Sequence, residues 1–177
     1  VSIVSLACVL TVKMATNYGL VVGIFITLII SAIIGIVTGI IVSGIKGRIG
    51  VCFMVTYGMQ TIVAAVALIY TGGVYQQGKG LQGLLNWWPI SILVVTAIVL
   101  EFVLTKTKLG RKISFIGGNM DVARLSSINV TLDRIFVFMV SAITAGIAGV
   151  IMVARVGTAS PTAGMGYEMD AIAAVVV

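Results

Sequence analysis

Long stretches without a single charged side chain decide what this chain can become. Gly19 to Ile45 carries no charge, and neither does Ile49 to Tyr70 or Ile135 to Ala154. Ile90 to Leu104 is interrupted only by Glu101. A helix of about 20 apolar residues crosses a hydrocarbon core about 30 Å thick. Lipid offers the backbone no hydrogen bonds, so such runs must form helices that satisfy themselves. Only 9% of the residues are charged, against about 25% in a soluble domain. That excludes the alternative, core helices of a large soluble protein. The expectation is an all-α integral membrane protein, a polytopic transmembrane helix bundle of about five spans. A truncated sixth span would begin at Ala171.

The chain reads as one transmembrane domain over residues 1–177, truncated at both ends, because Val1 and Val177 both lie inside apolar runs. Histidine is absent, which removes His-based metal sites and His general bases. Cys8 and Cys52 sit in apolar surroundings far apart in sequence and read as buried free thiols. No phosphate-binding glycine loop, nucleophile elbow, zinc-protease motif or paired carboxylate occurs. No catalytic residue and no metal site is expected, and the chemistry open to the chain is passage of a solute. The net charge of +6 is no nucleic-acid signal. It is gathered in loops, where it suits anionic membrane lipid.

The gathering is uneven. Thr105 to Arg134 carries Lys106, Lys108, Arg111, Lys112, Arg124 and Arg134 against Asp121 and Asp133. Basic loops stay cytoplasmic, so residues 105–134 are expected inside. Walking back one span puts Thr71–Pro89 outside, and another puts residues 46–48, with Lys46 and Arg48, inside. Eight of the eleven basic residues then share one side. Glu168 and Asp170 fall at or near the outer side. Within the loop, Asp121 to Ser127 either forms a short helix capped by Asn119 or belongs to a plain solvated connection.

A few polar groups interrupt the spans. Thr56, Gln60 and Thr61 share a helix face; Gln60 either lines a polar path or bonds to a neighbouring helix. Tyr167, Glu168 and Asp170 are candidates for the mouth of the same path. Trp87 and Trp88 read as interfacial anchors, with a sugar-stacking platform as the sharper alternative. Gly19, Gly23, Gly35 and Gly39 have the spacing of close-packing helix faces. The string Ser31-Ala32-Ile33 with Gly39, Ile41 and Gly47 recurs as Ser141-Ala142-Ile143 with Gly149, Ile151 and Gly157. Their helices run oppositely in this topology, which is a possible inverted repeat; shared Ile, Ala and Gly composition is the plainer account.

Two strings carry a family resemblance. Leu109 to Val130, LGRKISFIGGNMDVARLSSINV, resembles the cytoplasmic loop of the ribose/xylose/galactose-type permeases of bacterial ATP-binding cassette (ABC) importers, roughly LGRxxxAxGGNxxAAxxSGINV. Ala154-Arg155 with Pro161 to Val176 is similar to that family's ARxxxxxPxxGxGYELDAIAAVV. The first hundred residues match in spacing and composition only. The resemblance implies a permease subunit that moves a ribose-like monosaccharide across the bacterial inner membrane. It implies a homodimer, a cytoplasmic ABC ATPase pair holding ATP–Mg, a periplasmic or lipoprotein sugar-binding protein, and no cofactor in this chain. Carried over by position, Gly118, Asn119, Ala123, Arg124 and Ser127 form the ATPase-coupling site. Ser127 stands where the family usually has Gly, which would stiffen that turn. The family's GIDLSVG and GGxSxxGG segments would flank Val1 and Val177. From the residues alone, a stand-alone secondary transporter or channel is the alternative, although such proteins usually show ionisable residues for ion coupling.

Overall fold

The computed structural model describes residues 1–44, 49–77, 88–118 and 129–176. The apolar runs are helices. These are α1 (Ser2–Tyr18), α2 (Leu20–Gly44), α3 (Ile49–Thr71), α4 (Trp88–Lys106), α5 (Lys108–Gly118), α6 (Val130–Val156) and α7 (Tyr167–Val176). Four of them, α2, α3, α4 and α6, are long and apolar enough to cross a membrane, and α1 is a shorter apolar helix. A two-stranded antiparallel pair joins β1 (Gln76–Gln77) to β2 (Thr158–Ala159), with Gln76 opposite Ala159. The protein is an all-α polytopic membrane protein.

Glycines set the distance between the central helices. A Cβ at Gly35 would lie 2.6 Å from Ala142 Cβ and 2.8 Å from the Phe138 carbonyl oxygen, and one at Gly39 would lie 2.9 Å from Ile135 Cα. Gly146 meets Ser31 on the same interface, and Gly23 meets the α1 backbone at Ala15. Gly149 meets Ala7 and the Val4 carbonyl. Three helices, α1, α2 and α6, therefore touch almost backbone to backbone. Between apolar helices in lipid, such contact takes the place of a hydrophobic driving force. The pairs Gly35–Ala142 and Gly146–Ser31 show that α2 and α6 run antiparallel. This is the arrangement an inverted repeat of the two matched strings calls for.

Small hydroxyls fill the same core. Thr11, Thr27 and Thr38 are buried, and each donates to the carbonyl four residues back, at 2.7 to 2.8 Å. Thr11 and Thr27 also meet across α1 and α2 at 3.3 Å. Cys8, a buried free thiol as expected, donates to the Gly149 carbonyl at 3.3 Å. Cys52 is only half-buried, and Arg134 Nη2 lies 3.9 Å from its sulfur. At one end of the bundle, Lys13 Nζ lies 3.8 Å over the Tyr70 ring. The aromatic face lets a charge sit near the end of a span.

α3 packs against α1 and α2, and α4 against α5. The span of α4 is unburied. Two boundaries differ most from the sequence reading. α6 starts at Val130, inside the expected loop, because Asn129 accepts from the Leu132 N–H as an N-cap. α7 starts at Tyr167 instead of Ala171, with Glu168 and Asp170 in its first turn. Acidic side chains there oppose the positive end of the helix dipole.

The glycine contacts predict a sharp contrast. Gly35→Ala should destabilise the detergent-solubilised full-length protein by about 1–3 kcal/mol, because backbone blocks the added methyl. Gly58, in α3, has nothing within 4 Å of its would-be Cβ. Gly58→Ala should be neutral or stabilising by up to about 1 kcal/mol. Thermal-unfolding midpoints of the two variants measure the difference.

Candidate functional site

The polar residues of α3 separate into two groups. Thr56 and Gln60 line a cavity of about 150 Å³ with Ser2 of α1, Thr38 of α2 and Ser141 of α6. Ile34, Met59, Val63 and Phe138 form its apolar walls. Thr56 Oγ1 donates to the Cys52 and Phe53 carbonyls of its own helix, at 3.0 and 2.9 Å. Its lone pairs therefore remain free to accept. Thr61 does not join them. It is exposed, and its hydroxyl donates to the Gly58 carbonyl at 2.7 Å. One residue along a helix is a rotation of about 100°, which turns Thr61 away from the face that Gln60 presents.

This cavity lies below the about 300 Å³ of an ordinary small-molecule pocket. It is a polar niche in a helix bundle, large enough for a few water molecules at about 30 Å³ each. Ser2 and Thr38 were not singled out in the sequence, and Ser141 only as part of the repeated string. Serines and threonines are common in membrane helices, and their shared level shows only once α1, α2 and α6 are packed.

Tyr167, Glu168 and Asp170 do not line the niche. Tyr167 is 49% exposed, and Asp170 is exposed as well. Glu168 is half-buried, and its Oε2 is buried without a hydrogen-bond partner. The segment ahead of them does not stay at the end of the bundle. The Gly164 N–H donates to Ser5 Oγ of α1 at 2.9 Å. The first turn of α1 therefore meets the niche at Ser2 and the segment ahead of Tyr167 at Ser5.

Beyond Phe138, which lines both the niche and the crevice under α5, residues 105–134 hold more structure than the sequence reading gave them. Lys108–Gly118 is a helix, α5, where a plain connection was expected. Thr107 Oγ1 accepts from the Gly110 N–H at 3.3 Å and caps the turn out of α4. Gly110 is pressed onto the Leu104 backbone, whose carbonyl oxygen an added Cβ would strike. Ile113 and Ile116 face a crevice against α6, lined there by Asp133, Arg134, Val137 and Phe138. Lys108, Arg111 and Lys112 are exposed, as is Phe115. The spacing of Leu109, Ile113 and Ile116 was the readable signal for this helix. Gly118 ends α5, exposed, with open space around its Cα. Asn119, Ala123, Arg124 and Ser127 lie outside the described residues, as do the 121–127 helix, the 46–48 turn and Trp87.

A second concavity is unlike the niche. A groove of about 650 Å³ runs between α4 and α6, with Val99, Val103, Phe136, Val140 and Ile147 among its walls. Thr96 and Thr144 are its threonines, and both hydroxyls are bonded to carbonyls of their own helices. It is a lipid-like surface.

With this geometry in hand, the relatives are informative. Residues 1–177 match the model of the family described as branched-chain amino acid transport system / permease component. The chain is 38% identical over 144 residues to the ribose import permease protein of Escherichia coli (strain K12), covering 75% of this chain and 44% of the relative. It is 40% identical over 119 residues to the xylose transport system permease protein of Haemophilus influenzae, covering 66% and 30%. Against the D-allose transport system permease protein of Escherichia coli (strain K12) it is 32% identical over 155 residues, covering 77% and 47%. The chain thus spans less than half the length of these curated relatives. No solved structure matches it.

The Gly110 contact gives a local test. Gly110→Ala should loosen α5 from α4 by about 1–3 kcal/mol, seen as faster trypsin cleavage at Lys106, Lys108, Arg111 and Lys112. Gly117→Ala, where the added methyl meets nothing within 4 Å, should leave the cleavage rate close to that of the parent.

Proposed function

The chain belongs to the branched-chain amino acid transport system / permease component family, and from that premise we propose that it is the core of the membrane subunit of an ABC importer for a ribose-like monosaccharide. The observation that carries the sugar class is the alignment of ribose, xylose and allose permeases with 75%, 66% and 77% of the chain. The niche chemistry agrees. Its polar side chains are hydroxyls and one amide, with no charge among them. Such groups hydrogen-bond a neutral polyol without having to neutralise anything.

In this reading a periplasmic or lipoprotein sugar-binding protein delivers the solute. A cytoplasmic ATPase pair supplies the energy and holds ATP–Mg, and the chain itself performs no hydrolysis and carries no cofactor. A second copy of the permease completes the route within the inner membrane. Residues 46–48 and 105–134 are cytoplasmic by the positive-inside rule. Gly118, Asn119, Ala123, Arg124 and Ser127 then face the ATPase. α5 leads directly into that stretch and is held against both α4 and α6, so a docking event there has a rigid handle. The two access states need differ by little energy for docking to bias them.

One observation favours the second reading, a stand-alone secondary transporter. Glu168 has a buried carboxylate oxygen without a partner, the kind of group that ion coupling uses.

Co-purification of the full-length permease with ATPase candidates separates the two. Replacing Gly118, Asn119 and Arg124 together should abolish ATPase association while the permease stays folded. Failure of the parent protein to bind any ATPase while still transporting would favour the secondary transporter. Gln60→Leu should raise the KM for uptake about tenfold, the equivalent of one hydrogen bond of about 1.4 kcal/mol. Thr61→Val should leave uptake unchanged.

A further inference from the structure

The depth of the chain between α6 and α7 follows from helix register. Thr11 of α1 lies opposite Thr27 of α2, and Ala15 lies opposite Gly23. Continuing that antiparallel register, Ser5 comes level with Ile33, the middle of α2. At 1.5 Å per residue this is about 20 Å below the Leu20 end. With a hydrocarbon core about 30 Å thick, Ser5 sits near the middle of the bilayer.

The chain after α6 descends to that level. Gly157, at φ +73°, ends α6 in the left-handed conformation and turns the backbone. Ala159 then packs with Cys8, Val9 and Val12 of α1. Gly164 reaches Ser5, and a Cβ on it would lie 2.7 Å from the Val1 carbonyl oxygen. Turns close the backbone locally, from Ala163 N–H to Ser160 O and from Met165 N–H to Thr162 O. On the other side, β1 pairs with β2 and brings Gln76 and Gln77 alongside.

This is irregular backbone at membrane depth, which lipid does not tolerate; it persists only where protein buries it or where it lines a watery cavity. Its side chains favour the cavity. Thr162 is exposed and Ser160 half-buried, and their hydroxyl oxygens are 2.9 Å apart. Thr158 and Gln76 are half-buried and Gln77 is exposed on the paired strands. No charged residue occurs from Gly157 to Tyr167.

We propose that Gly157–Gly166 is a re-entrant segment whose Ser160–Thr162 hydroxyl pair faces an aqueous route through the bilayer and hydrogen-bonds a neutral polyhydroxyl solute there. The solute class rests on the importer reading; the re-entrant geometry does not. Two neighbouring hydroxyls and nearby amides offer both donors and acceptors, matching vicinal hydroxyls of a sugar. The absence of charge leaves a neutral solute no ion to displace.

The test is cysteine accessibility in the full-length protein, with Cys8, Cys52 and any further cysteine replaced. Thr162→Cys and Met165→Cys probe the segment. Tyr18→Cys, at the last residue of α1 and 67% exposed, marks full water access, and Ile98→Cys, 60% exposed at the middle of α4, marks the lipid face. A membrane-impermeant cationic methanethiosulfonate is added to open membranes, so that both faces are reached. The thiolate is the reacting species, so a watery site should label at least about tenfold faster than one in hydrocarbon. Thr162→Cys should follow Tyr18→Cys, and millimolar D-ribose, D-xylose or D-allose should slow its labelling. If both segment positions label as slowly as Ile98→Cys, lipid or another part of the protein covers the segment and the proposal is overturned. If they label fast and none of the three sugars slows them, the solute-contact half is overturned. Should Thr162→Cys fail to fold, Met165→Cys carries the test, since its side chain is 72% exposed. The labelling comparison needs no ATPase, so its outcome is independent of the co-purification result.

Discussion

Everything in this bundle depends on how closely α2 can approach α6 and α1. Lipid tails are as apolar as leucine, so the helices gain little from burying one another and must gain it from contact. Gly35, Gly39, Gly146 and Gly149 remove the side chains that would hold the backbones apart. The same approach brings threonine hydroxyls and the Cys8 thiol within reach of carbonyls and of each other. It also fixes the level of Ser5 relative to α2, and through Ser5 the level of Gly164. Polar groups of three helices meet at the niche because those three backbones are already in contact.

Charge-free runs made the spans legible, since length and hydropathy are properties of one helix at a time. Small-residue spacing at Gly35 and Gly39 made the packing face legible too, though not which helix would occupy it. Thr56 and Gln60 were readable as one polar face, while Thr61 was wrongly grouped with them, one residue past the turn. α5 went unread because its basic residues dominate its average, hiding the Leu109, Ile113 and Ile116 stripe. The depth of Gly157–Gly166 had no local signal. A Gly, Ser, Thr and Pro stretch looks the same at the surface and at mid-bilayer, and only the long-range bond to Ser5 separates the two.

The chain's polar content therefore falls into two kinds. The polar side chains that line the niche or bond Gly164 at Ser5 are neutral, small and held inside the bundle. Around α5 they are cationic and turned outward. The first kind suits a neutral solute and the second suits anionic lipid or an acidic protein surface.

The bond between α4 and α5 has a mechanical side. Gly110 seats α5 on Leu104 with no slack, while the length of α4 above that point is unburied. α5 in turn rests on α6 through Ile113 and Ile116. A load applied to the outer face of α5 is thus delivered to α4 at a fixed pivot, with α6 as the fulcrum. Because the shaft of α4 has little packing to surrender, such a lever can swing α4 without disturbing the glycine-bound helices behind it.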